Sequence, residues 1–241
     1  MIIGIYGLGR FGAFWGGLLG QRFAVKGWSR TEKKDLPPGI QVVSEAEVLA
    51  CDVIFFCVSI SSFREVLQAS ADKIRPGALV FDTCSVKMEP CQWMEELLPE
   101  DVEIVGSHPM FGPDSGAAGV KGLPMALCPL RISEGRLEQW NGILHEMGLR
   151  VLKMSADEHD HQAAYSQGIT HFIGRVINDL ELSQYPISTL GFKKMMEVAA
   201  QTCNDPFQLF LDLQRYNPYT GEMRDKLHAS LRKMLDILDQ S

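Results

Sequence analysis

The sequence predicts an α/β fold, an N-terminal doubly wound parallel sheet followed by an all-α C-terminal region. Three observations predict it. Short apolar runs alternate with helical stretches through residues 1–154. A glycine-rich turn, G-x-G-x-x-G at 7–12, joins the first apolar run to the first helical stretch. From Ala156 onward strand signals nearly cease. Alternation of this kind implies a parallel sheet, because each parallel connection needs a crossover that returns the chain to the same edge.

Ile2 to Tyr6 reads as a short buried strand, and the apolar residues from Phe11 to Leu19 as a helix packed on the sheet. Phe23 to Trp28 reads as the second strand, and Val42 and Val43 mark a weak third. Asp52 to Val58 is a strongly apolar strand, followed by an amphipathic helix from Ser62 to about Ala71. Pro76-Gly77 makes a turn into the strand Ala78 to Asp82. A helix around Trp93 to Leu98 and a strand from Val102 to Val105 come next. Pro124 to Leu130 and Arg150 to Met154 extend the sheet, with a helix from about Glu134 to Met147 between them. The boundary is expected near Met154, giving domains 1–154 and 155–241. The second is helical, broken at Tyr185-Pro186 and Asn217-Pro218. Met223, Leu227, Leu231, Met234, Leu235 and Leu238 recur there at helical spacing. A segment this small buries a poor core alone, so it is expected to dimerise.

The bulk composition narrows the function. Hydrophobic residues at 46% and charged residues at 22% are ordinary for a globular chain of 241 residues. A formal net charge of -7 argues against nucleic acid as a partner. Six cysteines without a CxxC pair or a His at ligand spacing argue for reduced, buried thiols, no metal, and a cytoplasmic setting. Arg10 and repeated glycines interrupt the apolar opening stretch, so neither a membrane span nor a signal peptide is expected.

The residues at the ends of the strands point to a nucleotide. In Gly7-Leu8-Gly9-Arg10-Phe11-Gly12 the first glycine makes the tight turn. The second admits a pyrophosphate against the backbone, and the third lets helix and strand pack closely. The helix N-terminus then offers free N–H groups to phosphate. This is the context of a Rossmann-type dinucleotide-binding domain. After the second strand stand Ser29, Arg30 and Thr31, where an acid would select NAD. A hydroxyl beside a guanidinium suits a 2′-phosphate, which favours NADP. Val58 and Ser59, at the end of the next apolar strand, complete the cofactor set.

Two further motifs follow strands: Asp82-Thr83-Cys84-Ser85-Val86-Lys87 and Gly106-Ser107-His108-Pro109-Met110-Phe111-Gly112-Pro113. In a doubly wound sheet such positions face the ligand cleft. His108 follows a strand, precedes a stiffening proline and sits in a glycine-rich loop, which suits a fixed side chain at an open cleft. Ser85 also reads as a helix N-cap.

With these motifs in view, the chain resembles the prephenate/arogenate dehydrogenase (TyrA) family, and most closely its plant-like branch. The resemblance rests on GLGRFG at 7–12, DTCSVK at 82–87 and SHPMFGPDSG at 107–116. It continues in HDHQAAYSQGITHFIGR at 159–175, STLGF at 188–192 and NDPFQLFLDLQRYN at 204–217. It implies an NADP-dependent oxidative decarboxylation in tyrosine biosynthesis. A hydride passes from ring carbon C4 of a cyclohexadienol to the nicotinamide, carbon dioxide leaves, and the ring becomes aromatic. His108 would accept the C4 hydroxyl proton or hydrogen bond, and Ser85 would orient His108.

The resemblance also assigns substrate contacts to Gln167, Thr170, His171, Ser188 and Thr189, with Gln167 and His171 on one helical face. Arg175 has two readings, a carboxylate ligand or a partner of Asp179. In the plant-like branch an acid matching Asp205 accompanies arogenate, whose ammonium it pairs, and Asn accompanies prephenate. Asp205 also reads as an N-cap before Pro206. A one-residue slip would put Asn204 in its place. Leu190 and Leu211 depart from the family's Lys and Arg, which leaves the ring-carboxylate ligands open. The length is expected to leave no room for a fused mutase or regulatory domain. His159, Asp160 and His161 are not expected to hold a metal, because adjacent helical side chains diverge. Competing readings are another small dehydrogenase with the same glycine turn and a non-catalytic NADP-binding sensor. Neither needs the Ser85 and His108 pair.

Overall fold

The computed structural model describes residues 1–240. The chain divides into two compact units, Met1–His159 and Asp160–Ser241, so the division falls a few residues beyond the expected Met154.

The first unit is built on an eight-stranded sheet. Its strands are β1 (Ile2–Tyr6), β2 (Ala24–Trp28), β3 (Ile40–Val42), β4 (Val53–Phe56), β5 (Leu79–Asp82), β6 (Glu103–Pro109), β7 (Pro124–Arg131) and β8 (Arg150–Lys153). Their spatial order is β3-β2-β1-β4-β5-β6-β7-β8. The order reverses between β1 and β4, and a crevice opens at the carboxyl ends of strands on either side of such a reversal. Register aligns those ends: Tyr6 faces both Trp28 and Phe56, and Phe56 faces Asp82. Gly7, Ser29, Cys57 and Thr83 therefore follow in one row along the carboxyl edge.

One expectation is corrected here. The sheet is not wholly parallel, because β7 runs antiparallel to β6. Residues 110–123 between them hold no helix. Without a crossover element the chain can only turn back. From β7 to β8 the helix α5 (Glu134–Glu146) supplies the crossover, and that pair is parallel again. The antiparallel pairing also lengthens β6. β5 holds it through Val105, and β7 then carries it on to Pro109.

The other helices of this unit are α1 (Arg10–Leu19), α2 (Glu45–Leu49), α3 (Ile60–Ser70) and α4 (Met88–Leu97). Ser44 and Glu47 close α2 with a reciprocal capping box. The core lies around stacked Phe55 and Phe81, 4.6 Å between ring centroids, with Trp140 set edge-on to both.

α6 (Ala156–Ala163) leads into the second unit. That unit continues through a π-helical turn (Ala164–Gly168), α7 (Ile169–Asp179), α8 (Leu190–Asn204), α9 (Phe207–Tyr216) and α10 (Thr220–Asp239). α7 and α8 cross closely at Gly174, where a Cβ would stand 2.1 Å from Thr202 Oγ1. Many apolar side chains on this unit are exposed, among them Ile187, Leu190, Leu231 and Leu238. No described helix is long and apolar enough to cross a membrane.

Candidate active site

The glycine turn has the shape its sequence implies. Gly7 adopts φ +104°, a conformation that side chains other than hydrogen resist. A Cβ on Gly12 would lie 1.9 Å from the Gly7 carbonyl oxygen, so α1 approaches the turn as closely as backbone allows. At Gly9, between these two crowded positions, a Cβ would meet nothing within 4 Å. The turn is thus tight on its protein side and open at its middle glycine, over the N-terminus of α1. That is the shape that admits a pyrophosphate.

The remaining cofactor candidates divide by environment. Leu8 is buried and packs where a Gly27 side chain would be, and Phe11 stacks on Trp15 with centroids 6.2 Å apart. Both serve the core with their side chains, which leaves their backbone for a ligand. Arg10 forms an ion pair with Asp114 of the loop after β6. Ser29 is half-buried, and Arg30 and Thr31 are exposed just beyond β2. Val58 lies against Gly7, and the exposed Ser59 begins α3, its hydroxyl 2.8 Å from that of Ser62.

A buried ion pair joins the two strand-end motifs. Asp82 and Lys87 are wholly buried and bonded to each other. Asp82 also accepts from Cys84 N–H at 2.9 Å and from Ser107 N–H at 2.9 Å. Lys87 donates to the Ser107 carbonyl at 2.7 Å. One carboxylate and one ammonium thus fix the residues just before Ser85 and His108. Burial works most strongly against the Lys87 ammonium, but the Asp82 carboxylate and the neighbouring Cys84 and Cys91 sulfurs together outweigh it and raise the group to about 12. Burial and the same carboxylate push the Cys84 thiol well up, which leaves it an inert apolar group.

Two expectations change in consequence. Ser85 is not the N-cap, since α4 starts at Met88 with Lys87 in the capping position. The turn is closed by Asp82 instead. His108 lies within β6 rather than in the loop after it, because β7 extends the strand past the end of β5. The imidazole is buried, and its Nδ1 lies 2.9 Å from His159 Nε2. The sequence reading set His159 aside with the metal question. Among the described residues no group of His, Cys, Asp and Glu is arranged to hold a metal ion.

In the second unit the predicted residues fall into two groups. Gln167 stands in the π-helical turn and His171 in α7, so the expected continuous α-helical face is interrupted between them. His171 Nε2 lies 4.0 Å from Asp205 Oδ2. Asp205 ends α8 and is not the N-cap of α9, a position that Pro206 takes. Burial holds the His171 imidazole below its ordinary value; the Asp205 carboxylate opposes this and Arg175 adds to it. Arg175 is engaged elsewhere than at Asp179, and its buried Nε keeps no protein partner, which leaves the carboxylate reading open. It donates to the Thr202 and Asp205 carbonyls at 3.1 and 2.8 Å and lies over the rings of Phe207 and Phe210. It pins the α8–α9 corner that carries Asp205. Of the other group, Thr170 is exposed and its hydroxyl bonds back to Ser166 O. Ser188 accepts from Tyr185 N–H and Thr189 caps α8, so both hydroxyls have local structural roles.

A depressed imidazole leaves a mark on stability. The folded state binds fewer protons at His171 than the unfolded chain, whose value is about 6.5. The neutral ring's contribution is present above that pH and is lost as the pH falls through it toward the folded value. Urea unfolding should therefore weaken more steeply from pH 7.5 to 5.5 in the native protein than in His171→Gln. Parallel slopes would show that the ring titrates normally.

Among the described residues, six buried side-chain polar atoms have no partner, and three belong to predicted site residues: Ser85 Oγ, Gln167 Oε1 and His171 Nδ1. Buried polar groups are rarely left so unless another molecule satisfies them.

The family model for the nucleotide-binding domain of prephenate dehydrogenase matches residues 29–153. The chain belongs to the prephenate dehydrogenase family. A second model, the TYRAAT1-like C-terminal domain, matches residues 176–241. Arogenate dehydrogenase 1, chloroplastic, of Arabidopsis thaliana is 33% identical over 244 residues, covering 96% of this chain and 38% of the relative. Arogenate dehydrogenase 2, chloroplastic, of the same plant is 35% identical over 189 residues, covering 76% and 53%. These similarities set the chain in the plant-like branch. The chain spans about two fifths to one half of their lengths. Among solved structures, prephenate dehydrogenase from A. aeolicus, in complex with hydroxyphenyl propionate and NAD+, shares the fold. Its TM-score is 0.75 at 19% identity, with 100% of this chain and 92% of that one covered.

Proposed function

We propose that this protein oxidatively decarboxylates arogenate to tyrosine with NADP as hydride acceptor. One observation carries the reading. Within one unit, a glycine turn open at its middle position shares the carboxyl edge of the sheet with a buried imidazole held by a second imidazole. The bound nicotinamide supplies the hydride acceptor. The chain supplies the rest. Gly7, Gly9 and Gly12, with the N-terminus of α1, hold the pyrophosphate, with Val58 and Ser59 beside the turn. Ser29, Arg30 and Thr31 receive the 2′-phosphate. His108 accepts the hydrogen bond of the C4 hydroxyl and draws its proton as the hydride leaves. It returns the proton when loss of carbon dioxide makes the ring aromatic. Ser85 offers its hydroxyl to the same oxygen or to the nicotinamide.

Gln167 and His171 are assigned to the substrate's polar groups, since each keeps a buried atom without a protein partner. Thr170, Ser188 and Thr189 are assigned a lesser part, because their hydroxyls bond locally. Asp205 favours arogenate by pairing its ammonium, where prephenate has a keto oxygen. A homodimer formed through the exposed apolar faces of the C-terminal helices belongs to the same reading, as does a cytoplasmic setting. Prephenate remains the second substrate to test, since a single charge separates the two.

Four specificity constants test the proposal, each substrate with each cofactor. Arogenate with NADP should give the largest. Asp205→Asn should move the arogenate-to-prephenate ratio toward prephenate by about tenfold, the worth of one charge-assisted hydrogen bond. Arg30→Glu should move the cofactor ratio toward NAD by a similar factor. Turnover of neither substrate would end the proposal.

A further inference from the structure

We infer that His159 is a positioning residue for the reaction and sets the tautomer of His108. This rests on reading His108 as the proton acceptor. The observation is the 2.9 Å contact between His108 Nδ1 and His159 Nε2, with both rings buried and inclined at 63°.

An imidazole that accepts a proton must present a bare nitrogen. Neutral histidine carries one proton on either nitrogen, and the partner of one nitrogen decides the state of the other. His159 engages Nδ1, so the nitrogen assigned to the substrate hydroxyl is Nε2. For Nε2 to be bare, Nδ1 must carry the proton and donate it to His159 Nε2. His159 is then the acceptor and holds its own proton at Nδ1.

The local fold fixes His159 in this role. Ser155 opens α6, its hydroxyl accepting from Glu158 N–H at 3.1 Å and its carbonyl from His159 N–H at 3.0 Å. His159 therefore stands in a capped first turn, where the backbone sets the direction of its Cα–Cβ bond. His108 stands on a strand paired on its far side to Ala126. Two rigid elements bring the two nitrogens together.

A neutral imidazole as orienting partner differs from the carboxylate that more often fills this place. When Nε2 takes the C4 hydroxyl proton, the Nδ1 proton can shift toward His159, which spreads the new positive charge over two rings.

The test uses the whole protein with two variants and two readouts. His159→Phe removes the acceptor, and His159→Gln retains one in its side-chain carbonyl. We expect His159→Phe to lower kcat about 10²-fold, with KM and NADP binding within threefold of native, since tautomer choice is part of acid–base efficiency. His159→Gln should recover to within about tenfold of native. Heteronuclear NMR of nitrogen-labelled histidines should find His108 protonated at Nδ1 in the native protein and shifted toward Nε2 in His159→Phe. Native turnover in His159→Phe, or Nε2 protonation of His108 in the native protein, overturns the inference. If the native protein turns over neither substrate, the proposed activity fails instead. The NMR readout then still decides whether His159 sets the His108 tautomer.

Discussion

His108→Asn should bind NADP as tightly as the native protein and lose turnover by about 10² to 10⁴-fold, the range spanned by general acid–base catalysis. The substitution is chosen on geometry. The amide nitrogen of Asn falls near the place of imidazole Nδ1, so the bond to His159 Nε2 can survive. What the variant lacks is Nε2, the nitrogen assigned to the C4 hydroxyl. The glycine turn belongs to β1 and α1 and makes no use of the imidazole, so dinucleotide affinity should not move. Loss of affinity together with turnover would point to a disturbed fold. Retention of both would remove His108 from the chemistry.

The second large effect is on stability. Lys87→Met leaves the Asp82 carboxylate fully buried without its counter-charge. Breaking one side of a buried ion pair costs about 3–5 kcal/mol. For a chain of this size that lowers Tm by roughly 10 °C. Asp82→Asn with Lys87→Met should recover part of the loss, because no net charge then remains in the interior. Recovery should be incomplete, since one amide oxygen cannot accept from both Cys84 N–H and Ser107 N–H as the carboxylate does. The single variant should also turn over slowly, because Ser107 precedes His108. A Tm within a degree of native for Lys87→Met would contradict the pair as described.

Much of the fold was legible because its signals are local. The apolar runs at Ile2–Tyr6 and Val53–Phe56 are buried strands by composition alone, and the glycine turn declares its neighbours. The antiparallel turn of β7 was not legible, because it depends on what 110–123 fail to form rather than on the strand itself. The helix α2 carried a readable signal in Ser44 and Glu47, a capping box three residues apart, that apolar periodicity overlooks in so short an element.

The site was legible where a motif compresses chemistry into a few adjacent residues, as at 7–12, 82–87 and 106–113. It was not legible where partners are far apart in sequence. His108 and His159 lie on separate elements, and neither shows in spacing that the other exists. The pairing of Asp82 with Lys87 hides for another reason. A charged pair within a motif reads as solvated until its burial is known, and burial is a property of the packed sheet. Arg175 shows the same limit from the other side. Its i,i+4 neighbour was a sound local partner, yet two backbone carbonyls and two aromatic rings claimed it.

Transfer of a labelled hydride tests the central claim most directly. Arogenate carrying deuterium at ring carbon C4 is mixed with the protein and NADP, and the reduced nucleotide and the aromatic product are analysed by mass. The account predicts deuterium in the reduced nicotinamide, none at C4 of the tyrosine formed, and one carbon dioxide released per label transferred. Failure to reduce the nucleotide with either arogenate or prephenate, under conditions where NADP is bound, would contradict it.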